Sequence, residues 1–371
     1  MNTIFARSPY FISVNETGQT GAKIEIFLWD SNTATVEPTT PNYVLTEGIP
    51  SLTNREVVFN ISPFIKEVLD PYAPDYDVSA PKAVSPRFFQ TINVRVKTYK
   101  LVSGVYTLVG NLRFFATDGY SDYTQGANYE YGLNYGDDGL TTTGIIVPLK
   151  ENDRTWFYTD NNPVLSRGIN VLIFHDGITE TIVTYTGQSP INVLTSANPA
   201  GYYNTLIPIN IYSDANGLTE FVVSNEITDV TFTARIQRVC EPKFTPVIVD
   251  FVNKLGGWDF ITFFKTRTDS TATESKPYNL GQRNWFYDVG RGQKKEFNFS
   301  QTRTVKLSTG FVPEYYGALI EQLMASENVL LDTLPALVKT KTQTIKTQLN
   351  NRLINYEVEF EMNYNLINDM Q

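Results

Sequence analysis

The chain has 371 residues, 42% of them apolar and 13% aromatic, enough for two or three domains with real cores. A net charge of −9 excludes a general phosphate- or nucleic-acid-binding surface, though not a local basic patch. The single Cys240 excludes an intramolecular disulfide framework and reads as a small buried hydrophobe.

The N-terminus, from Met1 to Pro9, has no basic segment followed by an apolar core, so no secretory signal is expected. No run of about 18 apolar residues is present, so no membrane insertion is expected. Synthesis in a cytoplasm is the expectation, which fits later display on a particle released by lysis.

The segment 1–118 reads as a small β-sandwich-like domain. Lys23–Trp29 and Glu56–Ile61 have strand composition. Ser62 and Pro63 are expected to cap and open a short helix over Phe64–Leu69, which Pro71 ends. After a Pro-rich link, Pro71–Pro86, two long strands are expected at Phe88–Lys100 and Val105–Phe115, turning at Ser103-Gly104. Residues 119–139 read as a linker or long loop rich in Tyr, Gly and Asp. Its tyrosines, Tyr120, Tyr123, Tyr129, Tyr131 and Tyr135, are candidates for stacking on glycans or for protein contact, against self-packing of the loop.

Residues 140–239 read as a second sandwich-like domain. Ile169–Phe174 and Thr179–Tyr185 flank His175-Asp176-Gly177-Ile178, and Asp-Gly between two such runs predicts a hairpin. Further strands are expected at Tyr202–Tyr212, Thr219–Val223 and Val230–Val239.

Residues 240–371 read as a C-terminal α+β assembly domain. Strands are expected at Phe244–Phe251, Trp258–Phe264 and Phe297–Leu307, with the polar stretch Thr266–Lys276 interrupting them. Pro313–Ala325 is the one longer helix, with the apolar stripe Tyr316, Leu319, Ile320, Leu323 and Met324. The clearest element is Leu353–Asn365. Ile354, Tyr356, Val358, Phe360, Met362 and Tyr364 alternate with Asn355, Glu357, Glu359, Glu361, Asn363 and Asn365, which is the period of a half-buried strand.

Leu337–Leu349 is expected to pair with that strand as a terminal hairpin. A three-residue loop, Asn350-Asn351-Arg352, places Lys341 opposite Glu361 and Gln343 opposite Glu359, with Thr340, Thr342 and Thr344 beside Met362, Phe360 and Val358. A two-residue loop would bury Lys339 and Lys341 without partners, which is costly.

The chain offers little catalytic chemistry, and the expectation is a protein that is not an enzyme. His175 is the sole imidazole and reads as a turn residue. Asp118, Asp122, Asp137 and Asp138 cluster but match no Ca²⁺ loop, so solvated turn carboxylates are expected and no metal. The glycine-containing run Gly281–Gly292, with Arg283 and Arg291, lacks the Gly-Lys-Ser/Thr of a phosphate loop. No cofactor is expected. Arg291, Lys294 and Lys295 instead suggest a basic turn that meets an acidic neighbour. With Tyr356, Phe360, Glu357, Glu359, Glu361, Lys339 and Lys341 they make up the candidate interface.

Four groups of residues resemble structural proteins, of tail or baseplate type, from tailed phages of Bacteroidetes-type bacteria. They are Ala6–Tyr10 with Lys23–Trp29; Asn60–Ile65; Phe251–Trp258 with Phe263-Phe264-Lys265; and Leu307–Glu314 with Leu353–Phe360. The stretch 120–240 carries no such resemblance. The resemblance implies a virion component, in the tail, baseplate or capsid surface, built into a ring or other repeated assembly with copies of itself and other virion proteins. It carries over no active-site residues. The alternative is a glycan- or surface-binding adhesin or decoration protein meeting host surface glycans.

Overall fold

A computed structural model describes residues 2–30, 36–49, 55–71, 91–131, 243–281, 292–314, 316–343 and 353–366, with Ser189 and Gly290, and the backbone of eight strands between 145 and 238. The fold is mainly β, in several sheets, with two α-helices among the described residues. None of these helices is long and apolar enough to cross a membrane. The chain divides into two compact units, Met1–Cys240 with Val252–Phe260, and Glu241–Phe251 with Ile261–Gln371.

The first unit opens with β1 (Asn2–Phe5), β2 (Phe11–Val14), β3 (Gly21–Asp30), β4 (Tyr43–Gly48), β5 (Val57–Asn60) and α1 (Ser62–Val68). β6 (Thr91–Val102), β7 (Val105–Thr117) and β8 (Glu130–Tyr131) follow. Six of these strands form a sheet ordered β4-β3-β6-β7-β1-β8. Period-2 alternation sends Ala22, Ile24, Ile26 and Leu28 of β3, with Ile92, Val94 and Val96 of β6, into one core. The antiparallel β2–β5 pair and α1 supply Ile12, Val14, Val57, Phe59 and Ile65 to the same core. β6 and β7 join through Ser103 (φ 51°) and Gly104 (φ 82°), the two left-handed residues of a tight hairpin turn.

Ser62 does not cap α1 as its position suggested. The N-cap is Ile61, and Ser62 lies inside the first turn. Its buried hydroxyl accepts the Tyr10 N–H (2.9 Å) and donates to the Ser8 carbonyl (2.6 Å). The side chain ties the N-terminal segment to the helix, while Asn60 Oδ1 accepts the Ser62 N–H.

The segment read as a linker also differs, because its described part belongs to the first unit. A 3₁₀ turn at Tyr123–Gln125 leads to β8, which adds to the sheet edge antiparallel to β1. The turn at 253–257 lies in the same unit. There Thr117 Oγ1 donates to the Leu255 carbonyl, and Lys254 Nζ approaches Asp122 at 2.5 Å.

The eight middle strands are β9 (Ile145–Pro148), β10 (Trp156–Thr159), β11 (Arg167–His175), β12 (Thr181–Tyr185), β13 (Ile191–Leu194), β14 (Tyr203–Ile211), β15 (Glu220–Asn225) and β16 (Thr231–Arg238). They form two sheets, ordered β14-β11-β9 and β10-β16-β15-β12-β13. The expected Asp-Gly hairpin is absent, because β11 and β12 do not pair. A strand has two edges. Those of β11 are filled by β14 and β9, and those of β12 by β15 and β13.

The C-terminal elements are β17 (Val247–Val252), β18 (Trp258–Phe263), β19 (Arg267–Asn279), β20 (Lys294–Pro313), α2 (Tyr316–Ala325), β21 (Val329–Leu331), β22 (Leu334–Val338) and β23 (Leu353–Met362), all of the second unit except Val252 and Trp258–Phe260, which group with the first. They form one sheet, ordered β18-β17-β21-β22-β23-β20-β19. The polar stretch after Phe264 is the 13-residue strand β19, not an interruption. All its side chains but Ser275 are exposed, so it lacks apolar alternation, and its signal is the β-branched threonines Thr268, Thr271 and Thr273.

The terminal pairing is also shifted. Glu361 faces Leu337 and Phe360 faces Val338, four residues from the expected register. The β21–β22 hairpin explains this. Its turn, Asp332 (φ 48°) and Thr333 (φ 75°), fixes Leu331 opposite Leu334. The strand then buries Ala336 and Val338, which gain more from burial than the expected threonines would. A shift of an even number keeps every β23 side chain on its expected face.

Candidate assembly face

β23 separates the two faces of the C-terminal sheet. Tyr356, Val358, Phe360 and Met362 point into the packed side and are buried. They are joined there by Val305, Leu307, Ala336 and Val338, and the Phe360 ring meets Phe263 edge-on at 6.1 Å. α2 lies against this side. A Cβ on Gly317 would come within 2.9 Å of the Tyr356 hydroxyl. Burial, reinforced by the Glu314 carboxylate, raises the pKa of the Tyr356 phenol.

The other side is open. Glu357, Glu359 and Glu361 project from β23, with Lys306 opposite Glu359 on β20. Lys306 Nζ lies 2.6 Å from Glu357, and Lys339 Nζ lies 2.5 Å from Glu361. The Glu357 hydrogen bond and charge raise the Lys306 pKa. Among the described residues Glu359 has no ion pair. Two large apolar side chains flank the row, Phe311 at 76% exposure and Leu337 at 44%. Phe311 follows a bulge at Thr309-Gly310, where Gly310 takes φ 70° beneath the Lys265 side chain.

β19 and β20 continue past the end of β23. Leu366 N–H still reaches the Gln301 carbonyl, but from Ser300 to Lys294 strand β20 pairs with β19 alone among the described residues. The result is a two-stranded ribbon about 24 Å long. Lys276 opposes Phe297 and Tyr278 opposes Lys295, and directly opposed residues share a face. Tyr278 and Phe297 stack edge-on at 5.5 Å, at 43% and 49% exposure. Alternation along β19 carries this face through Glu274, Ala272 and Ser270 to Thr268, which opposes Lys306. The aromatic–lysine tip and the glutamate row therefore lie on one face of one sheet. At the ribbon's base Asp269 bridges Arg267 (2.7 Å) and Arg303. The hydrogen bond from Arg267, more than the burial that opposes it, holds the Asp269 carboxyl below the usual aspartate range.

The structure thus brings Glu357, Glu359, Glu361 and Lys339 together on the open face. Lys341 is exposed near its edge, and Lys294 and Lys295 sit on the ribbon. Tyr356 and Phe360 support the face from behind instead of lining it, because they occupy the buried phase of β23. Arg283 and Arg291 lie outside the described residues. Sequence reasoning missed Tyr278, Phe297, Phe311 and Leu337 as exposed anchors. The alternation Phe297-Asn298-Phe299 beside Lys294-Lys295 was the available signal, but it looks the same in a buried strand.

The tyrosines of the 119–139 segment are dispersed. Tyr120 stacks under the Arg7 guanidinium at 5.0 Å, and Tyr129 packs on Phe5 at 5.8 Å. Tyr123 is fully exposed, and Tyr131 pairs through its backbone with Thr3. Tyr135, Asp137, Asp138 and Cys240 lie outside the described residues. Asp118 is buried against Lys66 (2.5 Å), and Asp122 meets Lys254. Among the described residues no three His, Cys, Asp or Glu side chains are grouped to hold a metal ion. His175 ends β11 opposite Tyr203 rather than lying in a turn.

No protein-family model and no curated protein sequence matches the chain.

Proposed function

We propose that this chain is a structural subunit of a repeated assembly, and that the assembly is the virion of a tailed phage, at its tail, baseplate or tail tip. The observation that carries the reading is the ribbon of β19 and β20, which extends an open, partly apolar sheet face into solvent. A two-stranded hairpin is marginal in water on its own, so a ribbon of this length with two exposed rings at its tip calls for a surface to lie on. The resemblance at both ends of the chain supports a virion component made in the host cytoplasm. In this reading two sandwich-like modules, 1–118 and 140–239, precede a C-terminal assembly module, and the chain has no catalytic role. Its partners are copies of itself and other virion proteins. The test is electron microscopy and sedimentation of the purified chain at rising concentration. Defined oligomers or rings are expected, and a monomer under every condition, including with isolated particles, overturns the proposal.

A second reading, a glycan-binding decoration protein, is favoured by one observation. Tyr123 is fully exposed, next to the Arg7–Tyr120 stack in sequence. Glycan-array binding that is lost in Tyr123→Ala supports it, and no glycan signal removes it.

A further inference from the structure

We infer that the partner of the ribbon is a second copy of this chain, related by a two-fold axis, with each ribbon tip lying on the other copy's glutamate row. This inference rests on the assembly reading above and names the partner that the open face takes.

Three observations lead to it. The first is charge. The tip face carries Lys276 and Lys295, with Glu274 alone against them. About 30 Å along the same face, counting the residues from Phe297 to Lys306, stand Glu357, Glu359 and Glu361. Lys306 and Lys339 occupy two of these carboxylates, and Glu359 has no ion pair among the described residues. One end of the face thus supplies cations and the other supplies an acceptor.

The second is apolar matching. Tyr278 and Phe297 are exposed at the tip, and Phe311 and Leu337 are exposed around the glutamate row. Both ends have an apolar centre with charges beside it, the anatomy of a protein interface.

The third is direction. Tip and row lie on the same side of one sheet. A copy displaced along the sheet without being turned over presents both in the same direction, so they cannot meet. They meet when the second copy is turned to face the first, and each tip then lands on the other's row at the same time. That arrangement is isologous and closes as a pair. It makes a dimer the building block from which any larger assembly is put together.

The test is a charge reversal with rescue, read by analytical ultracentrifugation and by thermal melting. Wild type is expected to dimerise in a salt-sensitive way. Lys276→Glu with Lys295→Glu is expected to weaken the dimer about tenfold or more, with the melting temperature of the monomer little changed. Glu357→Lys with Glu359→Lys is expected to weaken it similarly. An equimolar mixture of the two double variants is expected to form the heterodimer, because each tip then meets a row of opposite charge, and the quadruple variant is expected to recover dimerisation on its own. If wild type assembles but neither double variant alters assembly, this inference falls while the assembly reading stands. If wild type shows no self-association at any concentration, the inference falls and incorporation into particles decides the broader reading. A quadruple variant that folds and stays monomeric also overturns it.

Discussion

The β6–β7 and β19–β20 hairpins each form twelve registered pairs, yet the two ladders serve different ends. β3 backs β6 along ten residues, and every second side chain of β6 from Ile92 to Val96 is buried. Burying such a side chain is worth about 1.5–3 kcal/mol, so this hairpin is part of what holds its unit together. β19 has two apolar or aromatic side chains, Ala272 and Tyr278, in thirteen positions, and both are exposed. Its backbone hydrogen bonds replace bonds to water and contribute little net stability each. Ladder length therefore does not identify the core of a sheet protein. Burial of alternate side chains does, and a long ladder without it is available for reach.

The largest expected effect lies on the backed side of this comparison. Ile24→Ala should cost about 2–5 kcal/mol in urea or thermal unfolding, while Thr271→Ala in β19 should change stability by no more than about 0.5 kcal/mol. Equal losses would break the distinction. Next comes Gly256→Ala. Gly256 has φ +86°, and an added Cβ would lie 2.8 Å from the backbone nitrogens of Asp118 and Gly119. A loss of about 2–4 kcal/mol in the first unit is expected, measured by calorimetry.

The ribbon should give the reverse pattern. Tyr278→Ala with Phe297→Ala should shift monomer stability by about 1 kcal/mol or less, while self-association in sedimentation falls. A large loss of fold stability with unchanged association would mean the rings belong to the core after all. The smallest effect sharpens the comparison at the ribbon's base. The Asp269 carboxyl is held below its usual range, so its contribution is full above the ordinary aspartate pKa and is lost as pH falls through the lower folded value. Asp269→Asn should lower the melting temperature slightly at neutral pH, where the contribution is full, and leave it unchanged once pH has fallen below the folded value, so that the acid side of the profile is flatter than in wild type.

Much of this was legible in the sequence where hydrophobic period and burial agree. β3, β23, α2 and the Ser103-Gly104 turn all satisfy one local rule each. What was not legible depended on competition between distant elements. Asp176-Gly177 has the composition of a hairpin turn, but β11 found β14 and β9 as neighbours. The terminal register was set by the Asp332-Thr333 turn and by burial of Ala336 and Val338, not by charge pairing across an assumed loop. β19 was hidden because an exposed strand has no alternation to read. The candidate face was half visible. Its charges stand out in the sequence, while the exposed Phe311 and Leu337 can be told from core residues only once the sheet is formed.

The central claim is that the open face and its ribbon are completed by a neighbouring molecule. Amide hydrogen exchange at two protein concentrations, well below and well above the point of assembly, tests it most directly. Amides of β19 and β20 between 273–279 and 294–301 should be weakly protected in dilute solution and gain protection on assembly, while those of β6 stay protected throughout. Ribbon amides that exchange at the same rate at both concentrations, in a sample shown to assemble, would contradict the account.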